Sequence, residues 1–234
     1  KVAYEAKIHD AQTSILRELL FRPAAGYAEL QKPTGFSSDH FNFHIARLVE
    51  IGYVQKVTRG KYRLTPRGKE YANKLDTDQN TIERQPKSAV ILAIERGGKW
   101  LFQERLKHPY YGFWGFPSGK IRWGETIIDA AGRELMEETG LTAGRLEHKG
   151  IYHEQVYSAE TSEQLEDKIF HVVHCTGLLG KLVEKYEGGR NAWMSLEEVA
   201  KEPKKFESYK FEAEIALGKL EFVERSVTYN QEQF

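Results

Sequence analysis

Three glutamates stand close together in the second half of the chain. Glu134, Glu137 and Glu138 follow one another at positions i, i+3 and i+4, a spacing that projects all three side chains from one face of an α-helix. Carboxylates so close repel one another unless cations lie between them, and oxygen ligands suit Mg²⁺ or Mn²⁺. The spacing therefore predicts a divalent-metal site on a helix running from about residue 126 to 138.

Neighbouring residues could support such a site. Arg133 can orient a carboxylate through a bidentate ion pair, and Gly140 is placed to cap the end of the helix. Glycines before the helix let the backbone turn sharply and approach a phosphate closely; they are Gly112, Gly115, Gly119 and Gly124. The alternative is an ordinary acidic helix on the protein surface.

Aromatic side chains crowd the loop ahead of these glycines. Phe113, Trp114 and Phe116 offer flat faces that suit a nucleobase or another ring. The alternative is that they pack in the core or hold the loop.

The segment from residue 119 to 141 resembles the signature of the Nudix hydrolases, with a MutT-like order of parts, and the likeness extends over most of residues 88–200. Nine fixed positions carry it: Gly119, Glu125, Arg133, Glu134, Leu135, Glu137, Glu138, Gly140 and Leu141. The resemblance implies an α/β/α sandwich that uses Mg²⁺ or Mn²⁺ to hydrolyse a nucleoside diphosphate linked to another moiety. Phe116–Pro117–Ser118–Gly119 departs from the family's usual Phe-Pro-Gly-Gly.

The same resemblance implies roles for individual residues. Glu134 and Glu138 are the expected metal ligands, with help from Glu137 and the backbone carbonyl near Ser118. Arg133 would orient the carboxylates and Glu125 would brace the loop. Tyr157 stands where some dinucleoside polyphosphate hydrolases carry a tyrosine. Several carboxylates stay open as the general base: Glu134, Glu154, Glu160, Glu163 and Glu166.

The chain of 234 residues has a formal net charge of zero, which arises by cancellation. Residues 1–87 carry a net charge of +5 and residues 88–234 carry −5. Residues 77–87 between them are mostly polar and include a proline, as in a linker. Cys175 is the only cysteine, so intramolecular disulfides are excluded and a reducing, cytoplasmic compartment is favoured. The longest apolar run, residues 89–94, is far shorter than the roughly 20 residues that span a bilayer, so no membrane partner is expected.

The first half has helical periodicity followed by strand signals. Helices are predicted over residues 8–21 and 27–32, and a third begins at Ser37 or Ser38, either of which is a good N-cap. Phe41, Ile45 and Leu48 should form the buried stripe of that third helix. Strands are predicted over residues 53–58 and 61–65, and a last helix over 66–75.

That order of elements resembles the winged helix-turn-helix proteins, in the manner of ArsR- and MarR-like regulators, and residues 43–57 and 61–75 carry the likeness. The resemblance implies DNA as a partner, and the basic hairpin suits phosphate contacts. The candidate DNA-binding residues are Ser37, Ser38, His40, Asn42, Arg47, Lys56, Arg59, Lys61 and Arg63. The alternatives are an ordinary solvated surface and a protein-interaction or dimerisation module.

The sequence thus predicts a fold that is α+β in its first part and α/β in its second. A winged helix-turn-helix domain spans residues 1–76, a linker spans 77–87, and a Nudix sandwich spans 88–234. The leading hypothesis is a hydrolase of a nucleotide-type substrate. The rival is a transcriptional regulator, possible as a homodimer, whose Nudix domain senses a nucleotide. The intact set of glutamates favours catalysis, because a sensor has no need of them.

Overall fold

The computed structural model describes residues 8–76, 78 and 81–234. Residues 1–7 of the first predicted domain, and Thr77, Gln79 and Asn80 of the predicted linker, lie outside the described residues. Backbone contacts divide the chain into two compact units, Lys1–Arg84 and Gln85–Phe234. In the described part of the chain, no helix is long and apolar enough to cross a membrane.

The first unit combines short helices with small antiparallel sheets. In chain order its elements are α1 (Asp10–Leu20), β1 (Ala25–Gly26), α2 (Tyr27–Gln31), a 3₁₀ turn (Lys32–Thr34), α3 (Ser38–Glu50), β2 (Val54–Thr58), β3 (Lys61–Leu64), α4 (Pro66–Ala72), β4 (Leu75–Asp76) and β5 (Thr81–Ile82). Strand β3 lies between β1 and β2, and β4 pairs with β5. The last helix is shorter than predicted, since it ends at Ala72.

The third helix buries the stripe that its spacing predicts. Ser37 is its N-cap residue, and Phe41, Ile45 and Leu48 are all buried. His44, expected away from that stripe, is buried too, while Phe43 is exposed. His44 stacks against Phe36 and His9, because the aromatic rings that gather there widen the buried face.

The second unit is a mixed sheet with helices on both faces. Its elements are β6 (Lys87–Arg96), β7 (Lys99–Arg105), β8 (Trp114–Gly115), β9 (Ser118–Lys120), α5 (Ile127–Thr139), β10 (Leu141–Ser158), β11 (Gln164–Gly180), β12 (Lys185–Tyr186), β13 (Gly189–Met194), α6 (Leu196–Val199), α7 (Tyr209–Ala216) and β14 (Phe222–Tyr229). The strand order is β12-β13-β7-β6-β11-β10-β14, with β8 beside β7 and β9 beside β6. Strand β6 runs parallel to β11, and β14 runs parallel to β10.

Strand β6 shows why this part of the sequence is almost continuously apolar. Val90, Leu92 and Ile94 pack with helix α5 on one face of the sheet. Ile91 and Ala93 pack with α6 and α7 on the other face. A strand buried on both faces has no side that benefits from polar residues, and the resulting α/β/α sandwich is the predicted fold of this unit.

Candidate active site

Helix α5 holds the three glutamates, and its ends are fixed by local interactions. The Thr126 hydroxyl accepts a hydrogen bond from the Asp129 amide at 3.1 Å, the usual way to satisfy a free amide at a helix start. Gly140 ends the helix at φ 70°, a left-handed conformation that glycine adopts without strain. The predicted helix and its C-cap are therefore present.

The glutamates differ in burial, which corrects the expectation that all three share one cleft. Glu134 and Glu138 are each 9% exposed. The Glu137 side chain is 47% exposed and pairs with Arg122 and Arg133 instead. A step of three residues along a helix turns the side chain in the opposite sense from a step of four, so Glu137 reaches the rim while Glu138 stays over Glu134.

Arg133 ties the helix to the loop that precedes it. Its guanidinium donates to both carboxylate oxygens of Glu125, at 2.6 and 2.8 Å, and to Glu134 Oε1 at 2.6 Å. It also donates to the Lys120 carbonyl at 3.0 Å. These bonds hold the pKa of Glu125 down at about 2, so the brace is charged at neutral pH, and Arg133 positions Glu134 within the site.

Gly119 lies directly against the Glu134 carboxyl group. A Cβ atom at this position would stand 1.9 Å from Glu134 Cδ, far inside any allowed contact. Residue 119 therefore has to be glycine for the buried carboxylate to keep its place. Ser118 pairs with Ile91 across the sheet and lines the same cavity as Glu134 and Glu138.

Two residues that the sequence did not single out hold Glu138. Gln103 Nε2 donates to Glu138 Oε2 at 3.3 Å, and Asn191 Nδ2 donates to the Glu138 backbone carbonyl at 2.8 Å. Burial, together with the negative charge of Glu134, raises the pKa of Glu138, and the Gln103 bond offsets part of that rise. Gln103 and Asn191 come from β7 and β13, and no local pattern marks them because only strand pairing brings them to the helix.

The cavity over these carboxylates has a volume of about 590 Å³. Its charged lining residues are Glu134, Glu138, Glu166, Lys87, Arg105, Lys107, Lys120, Arg122 and Lys168. The described structure contains no group of three His, Cys, Asp or Glu side chains already gathered around one point. Two carboxylates and a nearby backbone carbonyl nevertheless suit Mg²⁺, which takes its remaining ligands from water and substrate phosphates.

A second, smaller cavity of about 70 Å³ adjoins the first and shares Ser118, Glu166 and Lys168 with it. Glu154 accepts a hydrogen bond from the Tyr152 hydroxyl at 2.6 Å, and Glu166 accepts bonds from the Tyr110 hydroxyl at 2.9 Å and from Lys168 at 2.6 Å. Glu212 on α7 is also buried there. Of the open candidates for a base, only Glu134 and Glu166 line the larger cavity. Glu160 and Glu163 are exposed between β10 and β11.

The aromatic residues of the loop are core residues, contrary to the stacking role predicted for them. Phe113 packs against Phe206, and Phe116 stacks on Phe102 with ring centroids 4.6 Å apart. Trp114 is 6% exposed. Their faces are covered by other side chains, so no flat surface is left for a ligand. In the described structure Tyr157 pairs with Gln164 across β10 and β11 and lines neither cavity.

The predicted DNA-binding residues all lie on the surface of the first unit. Ser37, Ser38, His40, Asn42 and Arg47 are exposed at or along α3. Lys56, Arg59, Lys61 and Arg63 are exposed on β2, β3 and the turn between them. Arg47 also forms an ion pair with Glu50 at 2.7 Å.

Comparison with known proteins places this geometry in a family. The sequence pattern of the NUDIX domain matches residues 84–215. An ADP-ribose pyrophosphatase of Methanocaldococcus jannaschii is 34% identical over 89 residues, which are 36% of this chain and 53% of that protein. An RNA pyrophosphohydrolase of Caulobacter vibrioides is 37% identical over 70 residues, 30% of this chain and 40% of that protein. The chain therefore spans about half or less of the length of these relatives.

A solved structure shows the same fold at lower sequence identity. The mutator MutT protein of Bacillus halodurans superimposes with a TM-score of 0.51 at 20% identity, over 63% of this chain and 93% of that one. At this identity the likeness concerns the fold of the second unit.

Proposed function

The chain belongs to the NUDIX family, and from that premise we propose that its second unit hydrolyses a pyrophosphate linkage in a nucleotide-type substrate. One observation carries the proposal: two buried carboxylates, Glu134 and Glu138, lie side by side next to Gly119, where no side chain separates them from an incoming phosphate. The names of the two relatives, a pyrophosphatase and a pyrophosphohydrolase, share this type of bond.

The residues fit a divalent cation. Glu134 and Glu138 are buried, and placing two like charges together out of water is unfavourable unless a cation offsets them. Glu134, Glu138 and the carbonyl near Ser118 would hold Mg²⁺ or Mn²⁺. A bound cation would neutralise phosphate oxygens and make a water molecule more acidic.

The remaining residues act by positioning and by proton transfer. Arg133 keeps the Glu134 carboxylate in place, and Gln103 and Asn191 keep Glu138 in place. Glu134 and Glu166 both line the cavity, so either carboxylate can accept a proton from the attacking water. Glu166 already accepts bonds from Tyr110 and Lys168, which makes it the weaker base of the two.

A substrate panel tests this proposal. Nucleotide sugars, dinucleotides and nucleoside triphosphates are incubated with the full chain and Mg²⁺ or Mn²⁺, and phosphorus NMR identifies the bond that is cleaved. We expect cleavage between two phosphorus atoms in at least one substrate class. Absence of anhydride cleavage in every class and with both metals contradicts the proposal.

For the first unit we propose a winged helix-turn-helix that binds duplex DNA. Support comes from the order of helices and hairpin, and from the exposed cations Lys56, Arg59, Lys61 and Arg63. Exposed cations on a hairpin suit the phosphate backbone, and α3 offers polar side chains that can reach base edges. If the second unit senses or consumes a nucleotide, the pair would act as a regulator.

Fluorescence anisotropy with random and selected duplexes tests the DNA proposal. The Arg59→Glu/Lys61→Glu variant should weaken binding to all duplexes and reduce its salt dependence. The matched control, Arg22→Glu/Lys69→Glu, makes the same charge change at the groove between α1 and α4 and should bind nearly as well as the wild type. Lack of binding by the wild type at low salt assigns the first unit to protein interaction instead.

A further inference from the structure

The larger cavity of the second unit carries more positive charge than the hydrolysis of one pyrophosphate linkage requires. Six basic residues line it, against three acidic ones. The basic residues are Lys87, Arg105, Lys107, Lys120, Arg122 and Lys168; the acidic residues are Glu134, Glu138 and Glu166. The cavity is an order of magnitude too large for a single water molecule and falls within the usual range of ligand sites.

Only two of these cations have a carboxylate partner in the described structure. Lys168 pairs with Glu166 at 2.6 Å, and Arg122 pairs with Glu137 at 3.2 Å. Within the described residues no ion pair engages Lys87, Arg105, Lys107 or Lys120. Three of these, Lys87, Lys107 and Lys120, are exposed to solvent.

The unpaired cations also lie close enough to repel one another. Burial lowers the pKa of Lys168, and the positive charges of Arg105 and Lys87 lower it further. Cations crowded around one cavity weaken a fold unless anions fill it, just as crowded carboxylates do. The arrangement therefore indicates an anionic ligand with several charges.

The number of charges distinguishes between classes of ligand. One divalent cation would offset Glu134 and Glu138, which leaves the four unpaired cations. The pyrophosphate of a nucleotide sugar has about two negative charges, whereas a nucleoside triphosphate has about four near neutral pH. A nucleotide sugar would leave about half of the positive charge unbalanced.

We infer that the substrate carries a chain of at least three phosphates, with the phosphates beyond the cleaved linkage bound by Lys87, Arg105, Lys107 and Lys120. This inference rests on the proposed function, because it assigns a substrate class to the same site. A free nucleotide and the 5′ end of an RNA can both present such a chain.

Binding without turnover tests the inference first. ATP and ADP-ribose share the adenosine group and differ in phosphate charge, so calorimetric titration of each into the full chain in metal-free buffer compares the charges alone. We expect ATP to bind at least about 10-fold more tightly, and its affinity to fall more steeply with salt. Equal affinities, or tighter binding of ADP-ribose, overturn the inference.

Neutralising the lysines tests which residues act. The Lys87→Gln/Lys107→Gln/Lys120→Gln variant should lose about 10-fold or more of its affinity for ATP and little for ADP-ribose. The control, Lys181→Gln/Lys201→Gln/Lys219→Gln, removes three exposed lysines of the same unit that do not line the cavity. An equal loss in both variants assigns the effect to net charge and overturns the site.

Turnover with Mg²⁺ then separates the sources and the two proposals. Arms with ATP, a dinucleoside tetraphosphate and an RNA decamer with a 5′-triphosphate compare free nucleotides with an RNA end, and the arm with the highest kcat/KM names the source. Faster cleavage of ADP-ribose than of any triphosphate overturns the inference while the proposed hydrolysis stands. If nothing is cleaved, the proposed function fails, and the binding comparison still decides the charge assignment.

Discussion

Glu212 shows how a single buried carboxyl group can make stability depend on pH. Burial raises its pKa to about 8, the negative charge of nearby Glu154 adds to the rise, and a hydrogen bond with Ser208 opposes it. The folded unit therefore holds a proton that the unfolded chain releases near pH 4.5. The free energy of unfolding should fall as the pH rises from about 4.5 to about 8.

The Glu212→Gln variant should remove this dependence, because an amide has no proton to lose. We expect it to be more stable than the wild type by on the order of 2 kcal/mol at pH 8, and nearly equal to it at pH 4.5. Urea denaturation at the two pH values measures the difference. Glu214→Gln on the same helix is exposed and serves as the control. A gain that is the same at both pH values contradicts a buried, protonated Glu212.

At the scale of elements, the contact between β9 and α5 decides whether the carboxylates are in place. In the Gly119→Ala variant the new Cβ would meet Glu134 Cδ at 1.9 Å, so the carboxyl group has to move. A displacement of about 1 Å can lower a rate by about 100-fold, and we expect kcat/KM to fall by that order while the unit stays folded.

Gly132 on the same helix provides the matched control. A Cβ there would meet Leu146 Cδ1 at 3.6 Å, an ordinary contact, and alanine favours a helix by about 0.5–1 kcal/mol over glycine. Gly132→Ala should therefore keep its activity and its stability. Equal activity of the two alanine variants contradicts the role assigned to Gly119. Steady-state kinetics and thermal unfolding measure both effects.

The elements that the sequence predicted well are those with local signals. Helix α5 was predictable because Thr126 and Gly140 mark its ends and its apolar residues recur at helical spacing. Strand pairing is not local, so the sequence did not reveal that Gln103 and Asn191 hold Glu138. Helix α7, which brings Glu212 to the small cavity, has no side-chain cap at Ser208 and was not predicted. Phe113, Trp114 and Phe116 were misassigned because spacing in a loop does not reveal which side chains become buried.

At the scale of the whole molecule, the charge change and the backbone contacts mark nearly the same boundary. The units meet at Arg84 and Gln85, and the family match begins at residue 84. The core clusters of the second unit draw on residues of that unit alone. A fragment of residues 85–234 should therefore fold independently and hydrolyse the same substrate with a similar kcat/KM. Circular dichroism and kinetics check this. A folded but inactive fragment would show that the first unit contributes to the site.

The central claim is that Glu138 and its neighbour Glu134 form a metal-dependent site for pyrophosphate hydrolysis. The most direct measurement is the metal-dependent rate of Glu138→Gln beside the wild type, with the best substrate of the panel and a titration of Mg²⁺. Glutamine keeps the volume and the bond from Gln103 within reach but removes the charge, so the fold should survive. We predict that kcat/KM falls by at least about 100-fold, the scale expected for one electrostatic group in an active site, and that EDTA abolishes wild-type turnover. Undiminished hydrolysis by Glu138→Gln, or by the wild type in EDTA, would contradict the account.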